Sequence, residues 1–411
     1  MHFFCTTFGS AGDVFPMAGL ALELKRRGHA VTLATCEMFA DLAQRNDLPF
    51  APIGTKADFI ACISHTDLWH PRRSFAHVFR SLQPGLQVQY ELIADQAARS
   101  PTIVVGNCYS LGARLAQEKL NIPFVTLHCQ PAALWSNLEP PALPGLFGPR
   151  WLKRFFYAVG VRFIIDPVVL SFLNPWRMEL DLPPIRNVLT WWHSPRAVLG
   201  LFPEWFCPPQ PDWPANVHLT DFPLWNDQPR AGLRTKLEAF LQEGEPPLVF
   251  TPGSANVHGQ CFFKAAQAAC QLLGRKGIFL TPFQEQLPQH LPNTILPIEY
   301  VPLDQLLPRA GAFIHHGGVG SMSQALASGI PQIIMPLAHD QFDNAARVQK
   351  LGVGTTLHVR QFTGPRLAKR LHHVLSSSSV QEACRAVAQK LTRRDGLVRS
   401  ADFLESFIDQ R

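Results

Sequence analysis

The chain has 411 residues, of which 46% are hydrophobic and 17% are charged, and its formal net charge is +6. These proportions exclude a disordered or fibrous protein, and the length is enough for two domains of about 200 residues each. The positive charge is mild and no block of lysine and arginine is present, so a nucleic-acid partner is not expected. The composition therefore predicts a globular protein with two domains.

The nine cysteines are scattered and odd in number. None has CxxC or metal-ligand spacing, so we expect buried thiols in a reducing cytoplasm and no metal site. The N-terminus begins with a strand pattern and lacks the basic and apolar regions of a signal peptide. The most apolar span, residues 155–173, is broken by Arg162, Asp166 and Pro167. We therefore expect a cytoplasmic protein that at most contacts the inner face of a membrane.

The first 130 residues alternate between strand and helix patterns. Strand patterns cover residues 2–8, 30–35, 102–106 and 123–127, and helix patterns cover residues 14–27, 38–46 and 110–120. This alternation predicts a parallel sheet with helices on both faces and ligands beyond the carboxyl ends of the strands. Between residues 130 and 214 many prolines interrupt the pattern, above all at 140–149 and 207–214.

A second alternating unit follows a predicted linker at residues 221–232. Its strand patterns cover residues 248–251, 277–280, 294–297, 312–314 and 332–335, and the chain ends in helix patterns at 364–376, 380–390 and 400–411. The sequence therefore predicts an α/β protein with two doubly wound, Rossmann-like domains. We place the first at residues 1–221 and the second at 222–395, with 396–411 as a C-terminal helix.

One strand of the second unit ends in a glycine loop, His315-His316-Gly317-Gly318, and a helix pattern follows at 321–328. The backbone N–H groups at such a helix start are unpaired and lie at the positive end of the helix dipole, which favours an anion. Glycine lets a phosphate come close to the main chain, and His316 and Ser321 would add side-chain donors. The loop therefore predicts a phosphate site.

The next strand leads through a short loop to Asp340 and Gln341 at the start of another helix pattern. A carboxylate can accept hydrogen bonds from two neighbouring hydroxyls, and a carboxamide both donates and accepts. This pair therefore predicts a site for a sugar beside the phosphate.

The spacing of these residues resembles the donor-binding signature of family 1 glycosyltransferases with the GT-B fold. Gly318 and Ser321 follow His316, Gln324 lies eight positions after it, and Asp340 and Gln341 lie twenty-four and twenty-five positions after it. The resemblance implies a central cleft between two facing domains, with the C-terminal helix crossing back to the first domain. It also implies that His316 and Ser321 contact the pyrophosphate and that Asp340 and Gln341 contact the sugar.

The resemblance leaves the donor open between dTDP-rhamnose and UDP-glucose, because Gln324 stands where many UDP-glucose enzymes place a ribose-binding Glu. It extends the donor site to Gly12, Ser254, Tyr300, Val301, Gly318 and Gly320. Ser254 would contact phosphate or form a plain turn, and Tyr300 would stack on the base or pack on the core. No DxD motif that holds a metal-bound nucleotide occurs, so we expect no cofactor and no metal beside the nucleotide sugar.

The loop after the first strand reads GSAGDVFP and contains Asp13. In a structural interpretation, Gly9 and Gly12 form a tight turn and Asp13 caps the following helix. In a catalytic interpretation, Asp13 is the general base that removes a proton from the acceptor hydroxyl. Bacterial antibiotic and sterol glycosyltransferases carry the similar pattern GS-x-GD-V-x-P, and this resemblance implies the catalytic role for Asp13 in an inverting transfer.

Two segments rich in aromatic residues, 151–163 and 191–214, are explained by core packing, by an apolar acceptor site or by a membrane-contacting surface with basic residues at its rim. The second segment, which contains Trp-x-His-Ser-Pro and Phe-Pro-x-Trp-Phe-x-Pro-Pro-Gln, resembles the catalytic chains of bacterial rhamnosyltransferases of mono-rhamnolipid synthesis, and the resemblance extends from GSAGDVFP to AHDQFDN. This resemblance implies a dTDP-rhamnose donor and a hydroxy-fatty-acid acceptor.

Three alternatives remain at this stage. A UDP-glucose-dependent enzyme acting on a sterol or polyketide would share the fold. A nicotinamide-dependent oxidoreductase would use Glu37 after the second strand, although Gly9 and Gly12 do not form GxGxxG. A catalytically silent binding subunit would not need Asp13. The sequence also leaves open the oligomeric state and whether a partner protein supplies the acceptor.

Overall fold

The structure is a computed structural model, and it describes residues 1–70, 73–143, 146, 148–228, 233–242 and 244–408. The chain divides into two compact units, which we call unit 1 (Met1–Trp225 with Arg394–Arg411) and unit 2 (Asn226–Arg393). The end of the predicted linker at 221–232, parts of the proline-rich segment 140–149 and the last residues of the predicted helix 400–411 lie outside the described residues.

Unit 1 contains a seven-stranded sheet in which every pair of neighbours is parallel. Its strands are β1 (His2–Thr6), β2 (Ala30–Thr35), β3 (Phe50–Pro52), β4 (Thr102–Asn107), β5 (Phe124–His128), β6 (Ala197–Gly200) and β7 (Val217–Leu219). The order across the sheet is β3-β2-β1-β4-β5-β6-β7. Strands β1, β4 and β5 are almost wholly buried, as continuous apolar runs between two helical layers must be.

The helices of unit 1 cover both faces of this sheet. In chain order they are α1 (Ala11–Arg26), α2 (Ala40–Arg45), α3 (Lys56–Ser64), α4 (Ser74–Arg99), α5 (Leu111–Leu120), α6 (Arg150–Gly160), α7 (Asp166–Glu179) and α8 (Val188–Trp191). A core cluster of Phe4, Phe79, Val104 and Leu173 joins α4 and α7 to the sheet.

The helix through the proline-rich middle of the chain differs from the sequence prediction. Helix α6, a π-helical segment (Val161–Ile165) and α7 form one continuous helix of 30 residues, which is apolar and long enough to cross a membrane by those two criteria. Pro167 does not break the helix because it lies in the first turn of α7, directly after the π segment, where the regular bonding pattern has already changed. Asp166 is 2% exposed, and its Oδ1 accepts a hydrogen bond of 3.0 Å from the Val188 N–H.

Unit 2 contains a second, six-stranded parallel sheet. Its strands are β8 (Leu248–Thr251), β9 (Gly277–Leu280), β10 (Ile295–Ile298), β11 (Ala312–His315), β12 (Gln332–Ile334) and β13 (Gly354–Thr356). Its helices are α9 (Leu233–Leu241), α10 (Gln260–Leu273), α11 (Leu303–Leu306), α12 (Val319–Ser328), α13 (Gln341–Lys350), α14 (Gly364–Ser376) and α15 (Ser378–Lys390). The strand order β10-β9-β8-β11-β12-β13 is that of a doubly wound, Rossmann-like sheet.

The last helix, α16 (Gly396–Ser406), packs against α1 and is part of unit 1. Arg27, at the end of α1, forms ion pairs with Asp402 at 2.7 Å and with Glu405 at 2.6 Å. Gly396 lies so close to the Phe222 carbonyl that a Cβ there would come within 2.5 Å of its oxygen. These contacts join the C-terminal residues to unit 1 rather than to the unit that precedes them in the chain.

Candidate functional site

The order of strands fixes where ligands can bind in each unit. In a doubly wound sheet, ligands bind beyond the carboxyl ends of the two strands at which the order reverses. Those strands are β1 and β4 in unit 1 and β8 and β11 in unit 2. The loop that carries Asp13 follows β1, and the loops that carry Ser254 and His316 follow β8 and β11.

The glycine loop after β11 is held by His315, which is fully buried. The Gly317 N–H donates to its Nδ1 at 3.1 Å, so the ring proton lies on Nε2 and donates to Gln332 Oε1 at 2.9 Å. Burial, and then the neighbouring His316, lower the pKa of His315 to about 3. His315 is therefore a neutral, structural residue that joins the ends of β11 and β12, and the positive φ of +98° at Gly317 completes the turn.

His316 is half-buried and packs between two glycines. A Cβ at Gly253 would lie 2.8 Å from its Cε1, and a Cβ at Gly318 would lie 2.7 Å from its Nε2. Its Nδ1 is buried and has no hydrogen-bond partner among the described residues. Burial, and then His339, lower the pKa of His316 to about 4. The ring is therefore neutral near pH 7, and it has a nitrogen available for a ligand.

Helix α12 begins directly after this loop with no side-chain cap. The first N–H to find a helical acceptor is that of Met322, which bonds to the Gly318 carbonyl at 3.0 Å. The preceding N–H groups, including those of Gly320 and Ser321, therefore face the end of the helix without an acceptor in it. Open space surrounds the Gly320 Cα, so an anion could approach the main chain there.

One turn further along α12 lies Gln324, which is 5% exposed. Its Oε1 is buried and has no hydrogen-bond partner in the described parts of the chain. A buried carbonyl oxygen without a donor is costly, so this atom is suited to a ligand that brings a hydroxyl group.

Asp340 lies at the N-terminus of α13, where the sequence placed a sugar-binding carboxylate. Its Oδ2 accepts a hydrogen bond of 2.6 Å from Nδ2 of Asn344, and the same Nδ2 donates to the Gly317 carbonyl at 2.9 Å. Burial raises the pKa of Asp340 to about 6, against the opposing effect of the Asn344 hydrogen bond. Asn344 is fully buried and joins the glycine loop to the carboxylate. The sequence reasoning missed it, although it lies one helical turn after Asp340.

The side-chain oxygen of Gln341 binds the protein's own main chain, whereas the sequence predicted that the carboxamide would both donate to and accept from the sugar. Its Oε1 accepts hydrogen bonds from the N–H groups of Leu337 at 2.7 Å and Ala338 at 3.2 Å, and the residue is 3% exposed. The oxygen therefore shapes the loop between β12 and α13, which leaves the amide nitrogen as the group for a ligand.

Three further predicted donor-site residues lie around the same edge of the unit 2 sheet. Ser254 is exposed in the loop after β8. Tyr300 is half-buried, and its hydroxyl donates to the Asp227 carbonyl at 3.0 Å. Val301 is 6% exposed and packs in the core with Leu306, so only its main chain could contact a base.

In unit 1, Asp13 lies in the first turn of α1, which begins three residues earlier than predicted. Ser10 is the N-cap, and its Oγ accepts from the Gly12 N–H at 3.4 Å, while Asp13 Oδ2 accepts from the Ser10 N–H at 3.1 Å. Asp13 is thus the third helical residue of a capping box rather than the N-cap itself. Gly9 has a φ of +132°, and a Cβ there would come within 2.1 Å of Asp13 Oδ2.

The loop that leads to Asp13 is held by polar residues at the end of β4, which the sequence reasoning also missed. The Asn107 side chain donates to the Phe8 carbonyl at 2.7 Å, and the Ser110 hydroxyl donates to the Thr6 carbonyl at 3.3 Å. Because Asn107 and Ser110 are both buried, these bonds fix the loop before the helix begins. Neutral polar residues directly after a buried strand were the available signal.

The Lys56 N–H at the start of α3 donates to Glu37 Oε2 at 3.2 Å, so this acidic residue has a structural role in addition to any ligand contact.

No group of three or more His, Cys, Asp or Glu side chains that could hold a metal ion occurs among the residues that the structure describes.

Two family models match separate parts of the chain. Residues 3–130 match the glycosyltransferase family 28 N-terminal domain, and residues 278–395 match the C-terminal domain of erythromycin biosynthesis protein CIII-like enzymes. The second match contains the glycine loop, Gln324, Asp340 and Gln341. These matches exclude the oxidoreductase alternative.

Relatives that match nearly all of this chain agree with these models. The O-mycaminosyltylonolide 6-deoxyallosyltransferase of Streptomyces fradiae is 25% identical over 98% of this chain and 97% of its own. The sterol 3-beta-glucosyltransferase of Saccharomyces cerevisiae is 26% identical over 95% of this chain and 34% of its own length. The solved spinosyn rhamnosyltransferase SpnG, complexed with thymidine diphosphate, has the same fold, with a TM-score of 0.68 and 18% identity over 98% of this chain and 100% of its own.

The closeness to rhamnosyltransferases of mono-rhamnolipid synthesis stays a prediction. The two family matches and the relatives show that the chain is a nucleotide-sugar glycosyltransferase similar to antibiotic and sterol glycosyltransferases, and its two parallel-sheet, Rossmann-like units have the fold of solved GT-B glycosyltransferases.

Proposed function

We propose that the protein is a metal-independent, inverting glycosyltransferase that moves rhamnose from dTDP-rhamnose to a hydroxyl group of an apolar lipid, of the hydroxy-fatty-acid type. The proposal rests mainly on one observation. The start of α12, the Nδ1 of His316 and the Oε1 of Gln324 belong to one strand, loop and helix of unit 2, and none of the three has a side-chain cap or hydrogen-bond partner among the described residues.

Each of these groups suits one part of a nucleotide diphosphate. The N–H groups at the start of α12, including those of Gly320 and Ser321, would bind the pyrophosphate. The neutral His316 would donate a hydrogen bond to it, or take up a proton when the anion arrives. Gln324 would accept a hydrogen bond from the ribose, and Tyr300 would stack on the base.

The sugar would be bound by Asp340 and by the amide nitrogen of Gln341. Asp340 must be ionised in order to accept hydrogen bonds from two hydroxyls at once. The Asn344 hydrogen bond supports this form, because it opposes the rise in the pKa of Asp340 that burial causes.

The reaction would be a single displacement. The acceptor oxygen forms a bond to the anomeric carbon while the bond from that carbon to the pyrophosphate oxygen breaks, and the electron pair leaves with the nucleotide diphosphate. Asp13 takes the proton of the acceptor hydroxyl, which becomes acidic as the new bond forms. The α12 N-terminus and His316 stabilise the charge that develops on the leaving group, and removing one such donor typically costs about 3 kcal/mol of transition-state stabilisation.

A second candidate is a UDP-glucose-dependent enzyme for a sterol or polyketide acceptor, which the sterol and macrolide relatives support. Gln324 favours the first candidate over this one, because many UDP-glucose enzymes carry a Glu there. Calorimetric titration with dTDP-rhamnose and UDP-glucose separates the two. Incubation of the preferred donor with hydroxy-fatty-acid, sterol and polyketide alcohols, read by mass spectrometry, then identifies the acceptor.

The catalytic assignment is tested with Asp13→Asn. We expect unchanged donor affinity and a loss of transfer of about 100-fold or more, because a general base contributes on this order. Near-normal turnover would refute the assignment of the base. In parallel, His316→Ala should weaken nucleotide binding, whereas the exposed His373→Ala on α14 serves as the matched control.

A further inference from the structure

The exposed face of α6 and of the π segment after it is unusual for a protein surface. Trp151, Phe155 and Phe163 are 69%, 59% and 70% exposed. Val159 lies between them on the same face, because residues four apart in a helix are neighbours. Phe156 and Ile164 widen this face, and both are 48% exposed. We call these six residues the aromatic stripe.

The opposite side of the same helix is fixed to unit 1. The ring of Tyr157 stacks on that of Trp135, with 3.2 Å between the ring centres and 4° between the ring planes. Val161 is 5% exposed. The helix is therefore anchored by one side, while the aromatic stripe on the other side has no covering in the described part of the chain.

The charged residues on the helical segment that carries the stripe, residues 150–165, all have the same sign. Arg150, Lys153, Arg154 and Arg162 lie on this helix, and no Asp or Glu occurs between residues 150 and 165. None of these four cations takes part in an ion pair with a described residue. Two of them, Arg154 and Arg162, line a cavity of about 290 Å³ together with Arg186 and the buried Asp166.

A surface with exposed aromatic side chains and a rim of cations matches the boundary of a bilayer that contains anionic lipids. The apolar side chains can enter the region between headgroups and acyl chains, while lysine and arginine side chains pair with the phosphates. The lining of the cavity has three arginines against one carboxylate, Asp166, so it keeps a positive charge that suits a phosphate headgroup. A second protein would need an acidic rim to match, whereas an anionic bilayer presents that charge everywhere.

The burial of α7 indicates that the 30-residue helix lies on a membrane surface and does not cross the membrane. Val169 and Leu173 of α7 are fully buried, and Arg177, 2% exposed, forms an ion pair with Glu118. The second half of the 30-residue helix is thus part of the core of unit 1. The exposed half, residues 150–165, is shorter than the roughly 20 residues that a span requires and carries four cations.

From this geometry we propose that unit 1 docks on the surface of an anionic lipid bilayer through the aromatic stripe and its rim of cations. The stripe lies in the plane of the interface and the protein does not span the membrane. Docking would bring the enzyme to the phase in which an apolar acceptor is dissolved, which goes beyond the transfer reaction itself.

The test is flotation of the full chain with lipid vesicles. We expect binding to vesicles of phosphatidylcholine mixed with phosphatidylglycerol, weaker binding to phosphatidylcholine alone, and release as salt is raised. Combined replacement of the three most exposed aromatics (Trp151→Ser, Phe155→Ser, Phe163→Ser) should lower vesicle affinity by at least ~10-fold. The matched control is Leu272→Ser with Val359→Ser, which removes apolar side chains that are 62% and 55% exposed on unit 2.

The contribution of charge is tested with the double variant Lys153→Glu, Arg162→Glu, which should bind vesicles with and without phosphatidylglycerol equally. Circular dichroism and nucleotide-sugar affinity should be unchanged in all variants, so that a failure of docking is distinguishable from a failure of the transferase assignment. Absence of binding to anionic vesicles, or equal binding by the triple variant, would overturn the proposal. The proposal would also be overturned if light scattering showed that the wild type is a dimer and the triple variant a monomer, because the stripe would then be a contact between two copies of the chain.

Discussion

The replacement Asn344→Ala removes two hydrogen bonds that this side chain makes in unit 2. Asn344 Nδ2 donates both to Asp340 Oδ2 at 2.6 Å and to the Gly317 carbonyl at 2.9 Å. Its loss removes a hydrogen bond to a charged group and leaves a loop carbonyl unpaired, each of which costs about 1–3 kcal/mol. We therefore expect a fall of about 2–4 kcal/mol in the free energy of unfolding.

The same replacement should change how donor binding depends on pH. The pKa of Asp340 is already raised to about 6 by burial, and the Asn344 hydrogen bond acts against that rise. Removing a bond worth about 1.4 kcal/mol to the ionised form raises the pKa by about one unit. In the wild type, nucleotide-sugar affinity should fall as pH drops below about 6, because a protonated Asp340 accepts fewer hydrogen bonds. In Asn344→Ala we expect this fall to begin about one unit higher.

The assay is calorimetric titration of a nucleotide sugar from mildly acidic to mildly alkaline pH. A nucleotide sugar is preferred to a free nucleoside diphosphate, because its pyrophosphate diester has no group that titrates in this range. His316 contributes equally to both proteins, so the displacement between the two curves reports Asp340. Asn107→Ala is the control, since it removes another buried amide, from unit 1. Coincident curves for folded wild type and folded Asn344→Ala would refute the reasoning.

Three further predictions concern the glycine loop. Gly320→Ala should leave the unfolding free energy unchanged or slightly higher, because a Cβ there meets nothing within 4 Å. It should weaken nucleotide binding, because the added methyl occupies the open space at the start of α12. The control is Gly160→Ala, at another helical glycine in open space, which should leave binding unchanged. Gly317→Ala should destabilise unit 2 by about 1–3 kcal/mol in urea unfolding, since φ is +98° and a Cβ would lie 2.8 Å from Ile334 Cγ2. The pKa of His316 is lowered to about 4, so the folded state resists its protonation, and stability should fall as pH drops from about 6.5 towards 4. His316→Gln should flatten that fall in urea titrations, and an unchanged slope would contradict the assignment.

Much of the sheet architecture could be predicted from the sequence. The strands β2, β8 and β9 and the helix α14 have the predicted bounds, because short buried runs between turn residues and a strongly periodic helix are unambiguous. Strands β3, β6, β7 and β13 were missed because they have only three or four residues and lie at or near a sheet edge. The continuous helix through Pro167 was missed because a π segment, which has no sequence signal of its own, removes the usual reason for a break.

The candidate site also has features that the sequence could predict and features that it could not. The spacing between His316 and Asp340 predicted a site made of two loops at one edge of the second sheet, because the loop after each strand of a parallel sheet reaches the same edge; the ligand roles of these residues stay predictions. What the spacing could not reveal is which atoms are already used. The Oε1 of Gln341 bonds its own loop, Asn344 joins that loop to the next, and Asp13 is the inner residue of a capping box. These details depend on side-chain packing between segments, which one-dimensional patterns do not contain.

The attachment of α16 to α1 has a consequence for the order in which the protein is made. Residues 394–411 leave the ribosome only after all of unit 2, yet Arg27 forms ion pairs with Asp402 and Glu405 of α16 as well as with Glu23 of α1. Unit 2 is one continuous segment and can therefore fold during synthesis. In unit 1, the side of α1 that packs against α16 stays exposed to solvent until α16 has been synthesised. The half of the molecule that is translated first is the half that is finished last.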